Sequence, residues 1–278
     1  MLNVGVIGCG GMGRDHIQRL TERTQGVQVV AVADMVDELA KKGAAIAGSA
    51  CRIYKEAADL INDPAVEAVF IVTPGFAHKS ALLPAIKAGK RIFCEKPLCT
   101  TAEDCLEVID AEVKSGRHLI QLGFMRRYDP SYAYAKKMLN EGKIGRPILF
   151  RGYSQDPESA IRGAIAYAGH SGGQFIDMAV HDIDLARWFM GSDPVSVYAI
   201  GGCYAHPEFG QYRDGDNVSA LMRLKDDGMA FLFAGRTAPH GYNVETEIIG
   251  THGTLRIANV GAKNLLQIVD GSGAREEY

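Results

Sequence analysis

The chain reads as an α/β protein in two parts. Residues 1–123 form an N-terminal doubly wound parallel sheet, and residues 124–278 form an α+β domain with an open, mainly antiparallel sheet. Three observations predict this. In the first half, short continuous apolar runs alternate with amphipathic stretches. In the second half, strand-like runs follow one another with turns between them. A glycine-rich turn stands immediately after the first apolar run. Continuous apolar strands separated by helices mean a parallel sheet covered on both faces, whereas strands joined by turns mean antiparallel pairing.

The apolar runs of the first part are 4–7, 27–32, 68–72, 91–94 and 118–122, with helical segments at 12–24, 77–88 and 101–115. A helix over 129–140 leads into the second part. Its strands are expected at 148–154, 195–202, 218–224, 229–235, 244–250 and 254–258, with a further strand-like run at 265–269. Asp226-Asp227-Gly228 between two of these runs predicts a hairpin turn. One amphipathic helix is predicted across 173–190, and residues 155–172, which lack a clear period, are expected to be a loop over the site. No internal repeat or low-complexity segment is visible.

Composition narrows the function classes. The 278 residues are 47% hydrophobic and 23% charged, as in globular proteins, and can bury a sizeable core. A net charge of -3 offers no basic field for nucleic acid or an anionic membrane. No run of 18 apolar residues predicts a membrane span. The first strand begins at Leu2 without a basic leader, which points to the cytoplasm. Cys9, Cys51, Cys94, Cys99, Cys105 and Cys203 show neither a CxxC pair nor zinc-ligand spacing, and are read as small, reduced, buried residues.

Gly8-Cys9-Gly10-Gly11-Met12-Gly13 follows the first strand and opens the first helix, and Asp34 stands at the end of the second strand. Gly8 permits the tight turn, Gly10 lets a pyrophosphate approach the backbone, and Gly13 lets helix and strand pack closely. The helix start, with Gly11 and Met12, offers amides and a positive dipole to the phosphates. Asp34 accepts hydrogen bonds from ribose hydroxyls and repels a 2′-phosphate, and neither Met35 nor Val36 is a cation. The expected cofactor is therefore NAD rather than NADP. Thr73, Pro74 and His78 follow a later strand at its carboxyl end, where they line the cofactor; His78 is read as a helix-capping or packing residue outside the chemistry.

Glu95-Lys96-Pro97 closes another buried strand. A lysine there is too costly to bury without a task or a partner, and Pro97 stops further pairing. An ion pair of Lys96 with Glu95 is disfavoured because adjacent strand residues point to opposite faces. Downstream, Asp177 and His181 are four apart on the predicted helix, which puts them on one face. Three readings compete for them: a metal site, which lacks a second histidine at ligand spacing; a helix face with a satisfied histidine; and an acid–base pair. Alcohol oxidation by NAD needs a base for the hydroxyl proton and a donor for the developing alkoxide. His181 and Lys96 supply one each, which favours the third reading.

These segments, together with Gly123 through Asp129 and Gly172-Gly173, resemble the Gfo/Idh/MocA oxidoreductases in order and spacing over nearly the whole chain. The resemblance implies a Rossmann domain followed by an open sheet that carries the substrate and often builds a homotetramer. The likeness is strongest to the inositol-oxidising branch, in Phe93 through Leu98, Met125 through Asp129 and Gly241-Tyr242. It implies Lys96, Asp177 and His181 as the catalytic set and Tyr242 as a substrate contact. It also implies oxidation of myo-inositol to its 2-ketone, with scyllo-inositol, an aldose or another polyol as the alternative substrate. A non-catalytic NAD-binding regulator is the rival class, against which the retained Lys96, Asp177 and His181 argue. A ring of hydroxyls needs many polar groups, and Arg127, Gln155 and Asp156 join Lys96, Asp177, His181 and Tyr242 in the expected substrate set. For Arg126 and Arg127, structural pairing with nearby acids stands equal to substrate contact. Glu95 and Lys96 are also counted among the cofactor contacts. Family members usually continue with helices that pack back toward the Rossmann domain, and these are expected to be absent here.

Overall fold

The computed structural model describes residues 1–238, 241–260, 263–270 and 275–277, and side chains are described only as far as residue 258. The chain divides into two compact units, Met1–Gly123 and Phe124–Tyr278.

The first unit alternates strand and helix throughout: β1 (Leu2–Ile7), α1 (Gly11–Glu22), β2 (Val27–Ala33), α2 (Asp37–Ala47), β3 (Arg52–Tyr54), α3 (Ala57–Asn62), β4 (Ala68–Ile71), α4 (His78–Lys87), β5 (Arg91–Cys94), α5 (Ala102–Lys114) and β6 (Ile120–Leu122). Its six strands run in the order β3-β2-β1-β4-β5-β6, all pairs parallel. The order reverses between β1 and β4, which opens a crevice at their carboxyl ends. Two apolar clusters cover the faces. Val4, Val6, Ile17 and Val32 pack on the side of α1 and α2, and Ile7, Leu60, Ile71, Leu82 and Val108 on the other.

The second unit contains α6 (Pro130–Asn140), β7 (Pro147–Pro157), α7 (Ile161–Tyr167), α8 (Gln174–Asp177), α9 (Val180–Met190), β8 (Pro194–Gly202), β9 (Asn217–Leu224), β10 (Met229–Ala238), β11 (Asn243–Gly250), β12 (Gly253–Val260), β13 (Lys263–Asp270) and β14 (Arg275–Glu277). Asp129 caps α6 by accepting from the Ser131 and Tyr132 amides, and Pro130 occupies the first turn, where its missing N–H is harmless. The eight strands run β14-β13-β12-β11-β7-β10-β9-β8. Every neighbouring pair is antiparallel except β10 with β7. The core lies between the sheet and α6 with α9, where Tyr132, Met138, Phe150, Leu185, Phe189 and Leu232 pack together. The expected hairpin is present: the Leu224 amide donates to the Gly228 carbonyl at 2.8 Å, and Asp227 takes a positive φ of 56°. No helix among the described residues is long and apolar enough to cross a membrane.

Two expectations are corrected. Residues 155–172 are not one loop, because β7 continues through Gln155 and Asp156 to Pro157 and α7 follows. Gln155 is in register with Gly235 of β10 and Asn243 of β11, so strand pairing carries these polar residues. Helix α7 is only seven residues long and buries none of them, and Gly163 in its middle weakens the local helix signal. The helix predicted across 173–190 is broken. The Ala179 amide bonds back to the Gln174 carbonyl, five residues away, at 3.1 Å, and the His181 amide to Met178 at 3.4 Å. One wide turn followed by a tight one separates α8 from α9. Asp177 and His181 are therefore not successive positions of one regular helix face.

Asp216 pins the turn after β8. Its carboxylate, fully buried, accepts from the Tyr204, Ala205 and His206 amides at 2.7–3.0 Å and from the Asn217 side chain at 2.9 Å. Burial acts to raise its pKa, but these donors outweigh it and hold the group below the usual carboxylate range. A depressed folded pKa contributes stability that is complete above the unfolded value of about 3.9 and fades as pH falls through the folded one. Asp216→Asn is accordingly expected to cost about 1–3 kcal/mol at neutral pH. In thermal melts against pH, the gap to the parent should narrow below about pH 4; a gap that stays constant into acid would refute the assignment.

Candidate active site

In the first unit, the glycine turn sits at the carboxyl end of β1. Gly8 adopts φ +95°, and a Cβ there would stand 2.7–2.8 Å from the Val72 and Thr73 backbone. A Cβ on Gly13 would collide with the Gly8 carbonyl oxygen, while one on Gly10 or Gly11 would meet nothing within 4 Å. Gly8 and Gly13 thus close the turn on itself, while Gly10 and Gly11, with the exposed Met12, leave its outer side open. Asp34 accepts from the Cys9 amide at 2.7 Å through Oδ2 and from the Val36 amide at 2.9 Å through Oδ1. Each oxygen keeps further acceptor capacity. Met35 and Val36 beside it are exposed and uncharged.

The turn after β4 brings Thr73 and Pro74 to the same edge. Thr73 Oγ1 is buried without a hydrogen-bond partner, an atom that a ligand hydroxyl or amide would satisfy. His78 is fully buried, with Nδ1 2.8 Å from the Pro97 carbonyl and Nε2 2.7 Å from that of Thr73. It ties the Thr73 turn to the segment that carries Lys96. Glu95 lies 2.7 Å from His16 Nε2 of α1 and accepts from the Lys96 amide at 3.2 Å. His16 meets Phe70 and Phe93 edge-on, and those two rings stack at 4.6 Å. An open glycine turn, an acid beside it and an orphaned hydroxyl on the next strand fit an adenine dinucleotide. Burial pushes the Cys9 and Cys99 thiols up to about 12 and Cys51 up to about 11. Thiols held so far above neutrality are unreactive. Among the described residues, no group of three His, Cys, Asp or Glu side chains is placed to hold a metal ion.

In the second unit, Gly172 and Gly173 both take positive φ, 80° and 89°, and turn the chain into α8. Asp177 ends α8, and His181, 8% exposed, lies in the first turn of α9 with its ring edge-on to Phe124 at 6.3 Å. Two buried arginines hold this segment. Arg126 donates to Asp182 Oδ1 at 2.9 Å and to Ser154 Oγ at 3.1 Å, and Ser154 donates to Asp182 Oδ2 at 2.6 Å. Burial works against the Arg126 charge, but Asp182 and the neighbouring Tyr132 and Tyr242 overcome it and raise its pKa; Tyr242 is also a hydrogen-bond partner. Arg236 of β10, 2% exposed, donates to Asp177 Oδ2 at 3.0 Å and to Asp214 Oδ2 at 2.9 Å.

The register then gathers the expected substrate residues. Gln155 and Asp156 lie at the end of β7, Arg236 near the end of β10, and Tyr242 just before β11, at one edge of three adjacent strands. Gln155 is 9% exposed with its Oε1 unpartnered, while Tyr242 is half exposed. His240, two residues before Tyr242, lies outside the described residues. Of the two arginines left open by sequence, Arg127 makes a bidentate pair with Asp184 at 2.8 and 2.6 Å and lies 5.6 Å over the Trp188 ring. The structural pairing is thus the contact the structure gives it. Sequence reasoning passed over Arg236 and Asp214. The available signal was an arginine directly after the apolar run Phe231 through Gly235, the same signal that picks out Lys96 after its strand.

Replacing Asp34 by Ser removes the carboxylate beside the glycine turn. Asp34→Ser is expected to lower the preference for NAD over NADP by about tenfold or more, equivalent to ~1.4 kcal/mol. Titration with both nucleotides measures it, and an unchanged ratio would count against Asp34.

Comparison with known proteins bears on the family, the fold and the cofactor. Residues 2–124 match the model of the oxidoreductase family with an NAD-binding Rossmann fold, and residues 132–256 match the GFO/IDH/MocA C-terminal domain. Inositol 2-dehydrogenase 2 of Saccharopolyspora erythraea is 35% identical, over 92% of this chain and 73% of that protein. The scyllo-inositol 2-dehydrogenase (NAD(+)) of Bacillus subtilis is 34% identical, over 92% and 73%. The crystal structure of scyllo-inositol dehydrogenase from Lactobacillus casei with bound NAD(H) and scyllo-inositol superposes with a TM-score of 0.88. It is 37% identical and covers 98% of this chain and 81% of that one. The chain therefore belongs to the GFO/IDH/MocA family of NAD-dependent oxidoreductases.

Proposed function

We propose that the protein oxidises a secondary alcohol of a polyhydroxylated ring, and that the ring is myo-inositol, converted to 2-keto-myo-inositol (scyllo-inosose). The observation that carries this reading is the hydrogen-bonded group of the second unit. Asp177 is held through Arg236, and His181 is followed directly by the Asp182–Arg126–Tyr242 chain. With Gln155 and Asp156 on the adjoining strand, it offers donors and acceptors in the number that a ring of hydroxyls requires.

NAD, when bound, supplies the hydride acceptor. The chain's own residues handle the proton and the charge. His181 takes the hydroxyl proton, Asp177 orients the histidine or a neighbouring substrate hydroxyl, and Lys96 stabilises the developing alkoxide. Tyr242, Gln155 and Asp156 bind the remaining hydroxyls, while Arg126 and Arg127 hold the framework. Gly8 through Gly13, Asp34, Thr73 and Pro74 receive the dinucleotide, with His78 and Glu95 bracing the segments on either side of Lys96. The reading also includes a cytoplasmic enzyme, assembled as a homotetramer. Exposed Val195, Val197, Tyr198 and Ile200 along β8 support self-association, and a monomeric mass in light scattering would argue against it.

Scyllo-inositol is the second substrate reading, because relatives named for it are as similar to this chain as those named for inositol 2-dehydrogenase. A panel of inositols, aldoses and linear polyols, assayed by NADH formation, separates the two. Myo-inositol is expected to give the highest kcat/KM. Lys96→Met should abolish turnover while leaving NAD affinity nearly intact. Turnover of linear polyols alone would refute the ring assignment, turnover of aldoses alone would refute the inositol assignment, and loss of NAD binding in Lys96→Met would refute the role given to that lysine.

A further inference from the structure

We propose that Arg236 is a positioning residue for the reaction, acting through Asp177; the proposal rests on the reading of Asp177 given above. Arg236 is 2% exposed and sits in β10, where its neighbours Leu232, Ala234 and Ala238 are buried apolar residues. A guanidinium does not persist in such a place unless its charge is met. Here it is met twice. One terminal nitrogen, Nη2, donates to Asp177 Oδ2 at 3.0 Å, and the other, Nη1, donates to Asp214 Oδ2 at 2.9 Å.

The far side of this bridge is itself anchored. Asp214 also accepts, through Oδ1, from the Gln174 and Gly215 amides at 2.8 Å each. Gln174 is the first residue of α8, so Asp214 fixes the start of that short helix while Arg236 fixes its last residue. The Arg236 guanidinium carbon lies 5.0 Å over the Phe209 ring, and its backbone amide donates to the Asp216 carbonyl at 2.9 Å. These contacts leave the planar fork little freedom.

Such fixing is needed where it occurs. The helix is interrupted at residues 178–179, so regular helical geometry does not set Asp177 relative to His181. A four-residue helix would fray if left alone. Arg236 replaces the missing helical constraint with a strand-borne one, since β10 lies in the middle of the sheet between β7 and β9. Lysine would not serve equally, because its donors all sit on one nitrogen and cannot reproduce the two separate nitrogens of a planar fork that meet the two carboxylates.

The test is a double-mutant cycle of Arg236→Gln with Asp177→Asn, read as kcat, KM for the polyol and Kd for NAD. Arg236→Gln is expected to lower kcat by about 10–100-fold, the scale for a misplaced catalytic group, with NAD affinity unchanged. Added to Asp177→Asn it should cost nothing further, because both changes disable the same carboxylate. Parental kcat in Arg236→Gln, or losses that multiply in full in the double variant, would overturn the proposal. Parental kcat in Asp177→Asn alone would overturn the role of Asp177 and this one with it. If Arg236→Gln does not fold, Asp214→Asn takes its place under the same criteria, and a folded Asp214→Asn with parental kcat would overturn the proposal equally.

Discussion

A buried ion pair between Arg126 and Asp182 holds the second unit's functional end together. It joins the 125–128 turn, strand β7 through Ser154, and the first turn of α9, with each carboxylate oxygen of Asp182 taking one charge-assisted bond. Removing either partner strands a charge where water cannot reach it, a loss of roughly 3–5 kcal/mol. Asp182 is adjacent to His181, so the pair that stabilises the helix start also anchors the backbone next to the imidazole. Arg236 repeats the device on the other side of the helix break, with Asp177 and Asp214 as its acceptors. Two cations buried under one sheet edge let an irregular segment behave as a rigid one.

The break between α8 and α9 explains why this arrangement is costly and why it is useful. A continuous helix would place residues four apart one above the other on a single face, in a spacing common to every helix. The wide turn at Gln174–Ala179 frees Asp177 from that constraint and makes its position depend on tertiary hydrogen bonds. The Gly172-Gly173 pair, both at positive φ, brings the chain into this turn at an angle that L residues rarely adopt.

Much of the fold was legible in sequence because burial leaves a pattern. Strands β1, β2, β4 and β5 are covered on both faces over most of their length, so they read as mainly apolar runs. The Gly8–Gly13 turn and Asp34 carry their role in their spacing. Strand β3, three residues with none buried, left no such trace, and α7, seven residues with none buried, was too short to stand out. The end of β7 was missed because its pairing depends on β10 and β11, which lie far along the chain, and its residues are polar. The chemical half was legible as residue types only. Lys96, Asp177 and His181 stand out individually, but the arginines that hold the second unit's pair do so across separations of 56 and 59 residues, which no local pattern records.

The central claim is that hydride leaves a ring carbon bearing a hydroxyl and is carried off on NAD. Incubation with myo- or scyllo-inositol deuterated at every ring carbon, followed by mass analysis of the reduced nucleotide, tests it directly. The account predicts NADH one mass unit heavier than that formed from the unlabelled ring. Reduced nucleotide without the label, or none from either inositol, would contradict it.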